Sequence, residues 1–178
     1  MLFKAVFLLF VLNIFEVKPE EYENEHHEFV SAVLKKNKSD PNRFTFAGKH
    51  YYVANIFTAD FYKAIQFCRQ QKMQLLSINS KLENDRIGRF IEDNGMSRGH
   101  FWTSASNHGG DGEWVWLSTG QNIVYTNWYP GEPSGISREN NTENCIEARH
   151  FGSHGFTWND LPCHLKAYFI CESNSDCD

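Results

Sequence analysis

Apolar positions along the chain follow two different periods, and the change falls near Gly95. Phe44 and Phe46, then Gly48, then Tyr51, Tyr52 and Val53 read as a strand, a turn and a second strand. From about Ala59 to Gln71 the residues Phe61, Ala64, Ile65 and Cys68 recur on one helical face, and Thr58 can cap the start. Leu75, Leu76 and Ile78 read as a short buried strand. Ser80 followed by Glu83 is a capping box for a second helix, with Ile87, Phe90 and Ile91 as its apolar face and Gly95 at its end. Beyond Gly95 no helical period recurs. Short aromatic strands take over: Phe101-Trp102, Trp114 to Leu117, Tyr125 to Trp128, Cys145-Ile146, Phe156 to Trp158, and Tyr168 to Cys171. Two helices first and strands afterwards predict an α+β domain. The polar stretch between Trp128 and Cys145 holds Pro130, Gly131, Pro133 and Gly135. A loop of that length in a small domain is usually functional.

The ends of the chain are different in character. Lys4 followed by the apolar run Ala5 to Phe15 fits a secretory signal peptide over residues 1–18, because the run is shorter than the ~18 residues a membrane span needs. Glu16, Val17, Lys18 and Pro19 do not form a small-x-small cleavage site, so a retained anchor is the alternative. After removal of the signal no membrane span is expected, and the expected location is extracellular. Residues 19–43 are charged and read as a solvated lead-in with a short helix around Phe29 to Leu34; 174–178 form a short tail. Asn37-Lys38-Ser39 and Asn140-Asn141-Thr142 are N-glycosylation acceptors.

The net charge of -5 argues against a nucleic-acid partner, which needs a basic surface. The five cysteines are Cys68, Cys145, Cys163, Cys171 and Cys177. Export makes disulfides the default, and the absence of a close C-x-x-C pair argues against zinc. Spacing does not fix the pairing, and one cysteine is left over. Cys177 is the odd one by position, so it could link two chains into a dimer or stay reduced.

Chemistry concentrates in Glu132-Pro133-Ser134, Glu143-Asn144-Cys145 and Trp158-Asn159-Asp160. Their carboxylates, amide and hydroxyl are hard oxygen donors of the kind Ca²⁺ takes. A bridge between Cys145 and Cys163 would hold the long loop beside Asn159-Asp160. Pro133 could fix the loop backbone between two ligands, and a cis bond before it would aim both side chains the same way.

The order of two helices, Trp-rich strands, Glu-Pro-x, Glu-x-Cys and Trp-Asn-Asp with a downstream Cys resembles the C-type lectin-like domain, over about residues 44–173. The single-domain layout behind a signal peptide is similar to secreted invertebrate lectins. The resemblance implies two helices packed on short antiparallel sheets with a long calcium-binding loop. It implies disulfides Cys68–Cys171 and Cys145–Cys163, worth roughly 4–5 and 3 kcal/mol by loop closure. It implies that Glu132, Ser134, Glu143, Asn159 and Asp160 bind both Ca²⁺ and the vicinal hydroxyls of a sugar. Ser134 departs from the pattern: mannose-type members have Asn there and galactose-type members Asp. A serine hydroxyl is shorter than either and serves metal and sugar together only with strain or through water. Glu132 is of the mannose type, so mannose-, fucose- or glucose-like glycans on microbes or cell surfaces are favoured, with galactose open. An auxiliary calcium site near Asn107 to Asp111 has only Asp111 as an acid. The alternative from another class is a lectin-like scaffold that binds a protein partner without calcium.

Plainer readings apply to several residues. Trp102, Trp114, Trp116, Trp128 and Trp158 lie on strands and read as core. Phe151 and Phe156 are candidate sugar contacts, with packing favoured. His150 and His154, with Gly152 and Gly155 among them, read as a hairpin tip and not as a metal pair. Glu132 with Glu143 could be a glycosidase pair, but the adjacent Asn159-Asp160 points to a metal instead, and no enzyme is expected.

Overall fold

The first two strands, β1 (Arg43–Phe46) and β2 (Lys49–Ala59), form a hairpin whose turn places Ala47 and Gly48 at φ 50° and 74°. In the computed structural model, which describes residues 40–109 and 112–174, these strands open a unit that begins at Pro41. The proposed signal peptide, the Phe29–Leu34 helix, Asn37, Asp111 and Cys177 lie outside the described residues. β2 continues past Val53, where its sequence pattern stops, because a bulge between Ala54 and Ala59 leaves Ile56 and Phe57 facing outward. Helix α1 (Phe61–Gln70) is capped by Asp60, whose carboxylate accepts from Lys63 N at 2.9 Å. The expected cap, Thr58, is still inside β2. β3 is only Gln74–Leu75; Leu76 then donates to Ile170 O at 2.9 Å outside any regular strand.

Helix α2 (Lys81–Asp93) starts as the sequence predicts: Ser80 Oγ accepts from Glu83 N at 3.2 Å. The reciprocal bond differs from the usual box, because Glu83 Oε2 takes Asn79 N at 2.8 Å. Gly95 follows the helix at φ 70°. At Gly88 a methyl group would stand 2.5 Å from Phe156 Cβ, so this helix approaches the sheet as closely as glycine allows.

The remaining strands are β4 (His100–Ser106), β5 (Val115–Trp116), β6 (Gln121–Asn122), β7 (Cys145–His150), β8 (Phe156–Leu161) and β9 (Ala167–Asn174). The expected strand at Tyr125 to Trp128 does not form; Trp128 makes a single bridge to Trp158, and the polar pair Gln121–Asn122 forms a strand instead. All nine described strands join one sheet, which runs β1-β2-β9-β4 and continues through β5-β6 and through β7-β8. Every pairing is antiparallel except β4 with β9, where Phe101 and Trp102 lie parallel to Tyr168 and Phe169. The sheet is therefore mixed, not purely antiparallel.

Alternate strand residues feed two apolar clusters, as a period of 2 requires. Phe101, Ile146 and Ile170 join Ile87 and Ile91 of α2 in one. Trp102, Cys145 and Phe169 join Phe61, Ala64 and Cys68 of α1 in the other. The tryptophans behave as core: Trp102, Trp116 and Trp158 are fully buried, and Trp114 and Trp128 pack against the first cluster. Trp158 Nε1 donates to Asn84 Oδ1 at 2.9 Å and Trp102 Nε1 to Ala59 O at 3.0 Å, so both buried donors are satisfied.

Two disulfides form with the implied pairing, Cys68–Cys171 and Cys145–Cys163, spanning 103 and 18 positions of chain. Beside the first lies a polar network that the sequence pattern does not reveal. Lys49 Nζ donates to Glu83 Oε1 at 2.8 Å and Glu172 Oε2 at 2.9 Å; Tyr51 OH also donates to Glu83 Oε1, at 2.7 Å. Ser77 N and Gln74 Nε2 complete the shell of Glu172 at 3.0 and 3.2 Å. Burial holds Glu172 above the ordinary carboxylate range even though Lys49 draws it down. Replacing Lys49 by Met strands two buried carboxylates and should destabilise the domain by roughly 3–5 kcal/mol. A carboxyl whose pKa is higher folded than unfolded loses stability as pH rises, so the deficit of the variant should narrow on acidification. Urea denaturation at neutral and mildly acidic pH measures both effects; a deficit that is small or that widens in acid would sink this account.

Candidate functional site

The long loop between Trp128 and Cys145 is ordered by hydrogen bonds at both of its sides. Tyr129 N donates to Trp158 O at 2.8 Å, and Glu132 N to Tyr129 O at 2.9 Å, which closes a turn through Gly131 at φ 97°. The Glu132–Pro133 peptide is cis. After it, Ser134 N and Gly135 N donate to the two oxygens of Asp160, at 2.9 and 2.7 Å. Gly135, at φ 74°, turns the chain into a small hairpin: Glu143 N reaches Gly135 O at 2.9 Å, Ile136 bridges Thr142, and Ser137 N reaches Asn141 O at 2.8 Å. Asn140, exposed at φ 62°, forms the tip of that hairpin.

These contacts bring Glu132, Ser134, Glu143 and Asp160 together. Asp160 is fully buried on β8 and Glu143 is buried two positions before β7. Ser134 Oγ donates to Glu143 Oε2 at 2.7 Å. One oxygen of Glu132, Oε2, is buried without a partner. No lysine, arginine or histidine of the described residues pairs with any of the three carboxylates. Burial, and then the neighbouring Asp160 carboxylate, push Glu132 above the ordinary glutamate range, with Ser134 offsetting part of the rise. Glu143 is raised in the same way: burial leads, Ser134 relieves some of it, and Asp160 and Glu147 add to it. The cluster is thus an uncompensated anionic site lined by oxygen.

Asn159 makes no hydrogen bond with this group; its Nδ2 donates to Glu147 Oε1 at 3.3 Å, on the paired strand β7. Among the described residues no three His, Cys, Asp or Glu side chains converge closely enough to hold an ion by themselves.

Sequence reasoning missed the support behind the site. Glu147 on β7 is fully buried; its Oε2 lies 2.6 Å from His100 Nδ1, and Arg149 Nη1 lies 2.8 Å from His100 Nε2. The only signal for it was a carboxylate two residues after Cys145, on the same face of a strand. The aromatic candidates are occupied elsewhere. Phe151 stacks on Tyr129 at 4.2 Å, with Arg149 over its ring at 4.2 Å, and Phe156 is in the core. His150 and His154 flank the turn between β7 and β8: His150 Nε2 reaches Gly88 O at 2.9 Å and His154 sits edge-on to Tyr129. At the auxiliary position Asn107 Oδ1 is buried and unpartnered, while Asn144 Nδ2 meets His108 Nδ1 at 2.9 Å.

The chain is similar to known proteins across this whole region. The model of the lectin C-type domain matches residues 58–173. C-type lectin mosGCTL-7 of Aedes aegypti is 32% identical over 129 residues, which cover 70% of this chain and 83% of that protein. The carbohydrate-recognition domain of mouse scavenger receptor C-type lectin superposes with a TM-score of 0.66 at 27% identity, covering 78% of this chain and 99% of the other. The corresponding domain of cow CD23, solved in the presence of a GlcNAc2Man3 oligosaccharide, gives 0.63 at 25% identity, covering 79% and 99%. The two helices and the mixed sheet accord with these matches, and the chain belongs to the C-type lectin domain family, a non-enzymatic carbohydrate-binding fold.

Proposed function

We propose that the chain is an extracellular, calcium-dependent lectin, exported by residues 1–18, whose binding site is the loop of Glu132, Ser134, Glu143, Asn159 and Asp160. The observation that carries this reading is the trio of carboxylates without a cationic partner, two of them buried and the third, Glu132, half-buried with its Oε2 making no hydrogen bond. Such a site suits a hard cation with oxygen ligands. Calcium, when bound, would offer open coordination positions to two vicinal hydroxyls of a sugar. The residues around it would accept hydrogen bonds from those hydroxyls through carboxylates and donate one through the Asn159 amide. Glu132 favours mannose-, fucose- or glucose-like glycans over galactose, and the oligosaccharide present with the cow CD23 domain contains mannose. A glycan at Asn140, on the exposed hairpin tip three residues before Glu143, would limit the size of ligand admitted.

One observation favours a second reading, a protein-binding scaffold without calcium. Ser134 donates its hydroxyl to Glu143 and ties up one prospective ligand. Three outcomes separate the two. Isothermal titration should show calcium binding, and a glycan array should light up with calcium and go dark with EDTA. Asp160→Ala should abolish both while the disulfide-framed fold persists, since Asp160 supplies a ligand and also anchors the loop amides. No calcium uptake at millimolar concentration would refute the lectin reading.

Acid should weaken the binding. Protons compete with the ion at Glu132 and Glu143, both held above the ordinary range, so affinity should begin to fall above the ordinary glutamate value of about 4.3. Titrations across pH should show a slope steeper than one proton per ion. Affinity unchanged down to about the ordinary glutamate value would contradict the assignment.

Ser134→Asn should restore a carbonyl ligand and tighten calcium roughly tenfold, equivalent to about 1.4 kcal/mol, with mannose binding improved alongside. An unchanged calcium titration would show that Ser134 is not a ligand position.

A further inference from the structure

A side-chain amide can face a metal with either end, and only its oxygen is a ligand. The carboxylates of Glu132, Glu143 and Asp160 would draw the NH₂ end of a freely rotating Asn159 toward themselves, since they accept and do not donate. In the structure Nδ2 is held the other way, on Glu147 Oε1 at 3.3 Å, and no hydrogen bond occupies Asn159 Oδ1. Glu147 is itself constrained. It is 1% exposed, and its second oxygen lies 2.6 Å from His100 Nδ1. Arg149 Nη1, which can only donate, lies 2.8 Å from His100 Nε2. A proton on Nδ1 lets His100 donate to Glu147, while Arg149 Nη1, also 3.2 Å from Nδ1 and 4.0 Å from Glu147 Oε1, lies over the imidazole ring and beside the carboxylate. Glu147 therefore accepts from two donors at once, which a carboxylate can do with one oxygen each and a primary amide cannot.

We propose that Glu147, buttressed by His100 and Arg149, is a positioning residue that fixes the Asn159 amide with its oxygen free for calcium before the ion arrives. This rests on the calcium-lectin reading for its purpose but not for its geometry. Glu147 touches neither ion nor sugar in this scheme. It acts by choosing which end of Asn159 is available, as outer partners of metal ligands do elsewhere.

The test begins without metal. In ¹⁵N-labelled calcium-free protein, the Asn159 side-chain NH₂ should show one proton shifted downfield and slow exchange with water, and Glu147→Gln should remove both features. The substituted amide has a single acceptor oxygen, for which His100 and Asn159 compete. In calcium titrations of the intact chain, Glu147→Gln should weaken affinity by about 10- to 100-fold with the far-UV spectrum unchanged. In an Asn159→Asp background the sign should reverse: there Glu147 repels the new carboxylate, and Glu147→Gln should restore affinity. A merely structural Glu147 would weaken binding equally in both backgrounds. His100→Gln, at a side chain 43% exposed, repeats the measurement if the buried substitution unfolds the domain, and should loosen the Asn159 amide in the same spectrum. An Asn159 NH₂ signal identical in wild type and variants, or the same loss in both backgrounds, overturns the proposal. Absence of calcium binding by the wild type with the amide signal behaving as expected would overturn the calcium reading alone.

Discussion

Lys49 stands between Glu83 and Glu172, two carboxylates that folding removes from water, and the closure of the domain is organised around satisfying them. Glu172 is on β9 and Lys49 on β2, 123 positions apart in the chain. Their ion pair therefore exists only when the first long strand lies against the last one, in the register that also sets Tyr52 opposite Cys171. Glu83 extends the same network to α2, in whose first turn it lies, and Tyr51 ties that carboxylate back to β2. Buried ion pairs are weak evidence for net stability, because desolvation cancels much of the attraction. Their consequence here is geometric: other registers of β2 on β9 would leave one or two charges unpaired. The Cys68–Cys171 bridge lies in the same neighbourhood and retains covalently what the network selects.

The opposite arrangement holds at the long loop. Glu132, Glu143 and Asp160 are joined through Ser134 and Gly135, yet no cation of the described residues answers them. The cost is tolerated because the backbone supplies part of the compensation. Ser134 N and Gly135 N donate to Asp160, and the Ser134 hydroxyl donates to Glu143. The Cys145–Cys163 bridge and the β7–β8 ladder hold the C-terminal flank of the loop, and backbone bonds of Asn127 and Tyr129 with Trp158 hold the other. One domain thus contains two acidic groups of similar chemistry, one neutralised from within and one that no cation of the described residues neutralises.

Different physical signals account for what could be read in the sequence. Both helices were legible because a 3.6-residue apolar period and a Ser80–Glu83 cap are local properties. The Asp60 cap was missed because the end of β2 depends on a bulge set by pairing with β9, which no local window contains. Tyr125 to Trp128 looked like a strand on aromatic content alone. In the fold those rings pack edge-on around Trp158, at 5.5 Å for Tyr125 and 6.0 Å for Trp128, and their backbone needs no ladder. The candidate site residues were chosen through a resemblance in spacing, and contacts in the loop join four of the five, all but Asn159. Glu147 was not legible: a buried carboxylate and an exposed one have the same letter, and only the β7–β8 register reveals that this one faces Asn159.

That register also explains how two adjacent residues divide the work. Asn159 and Asp160 stand opposite Glu147 and Ile146 respectively across the β7–β8 ladder. Asp160 turns toward the loop and is committed to backbone amides; Asn159 turns toward a carboxylate that fixes its orientation. The loop's shape and the polarity presented to a ligand are thereby set by different contacts. Substitutions in the loop, Ser134 among them, can change what is bound without disturbing the strand that carries the two residues. Such a division lets a single fold retain its frame while its ligand changes, because the frame is held by Cys145–Cys163 and the β7–β8 ladder and not by the ligand side chains themselves.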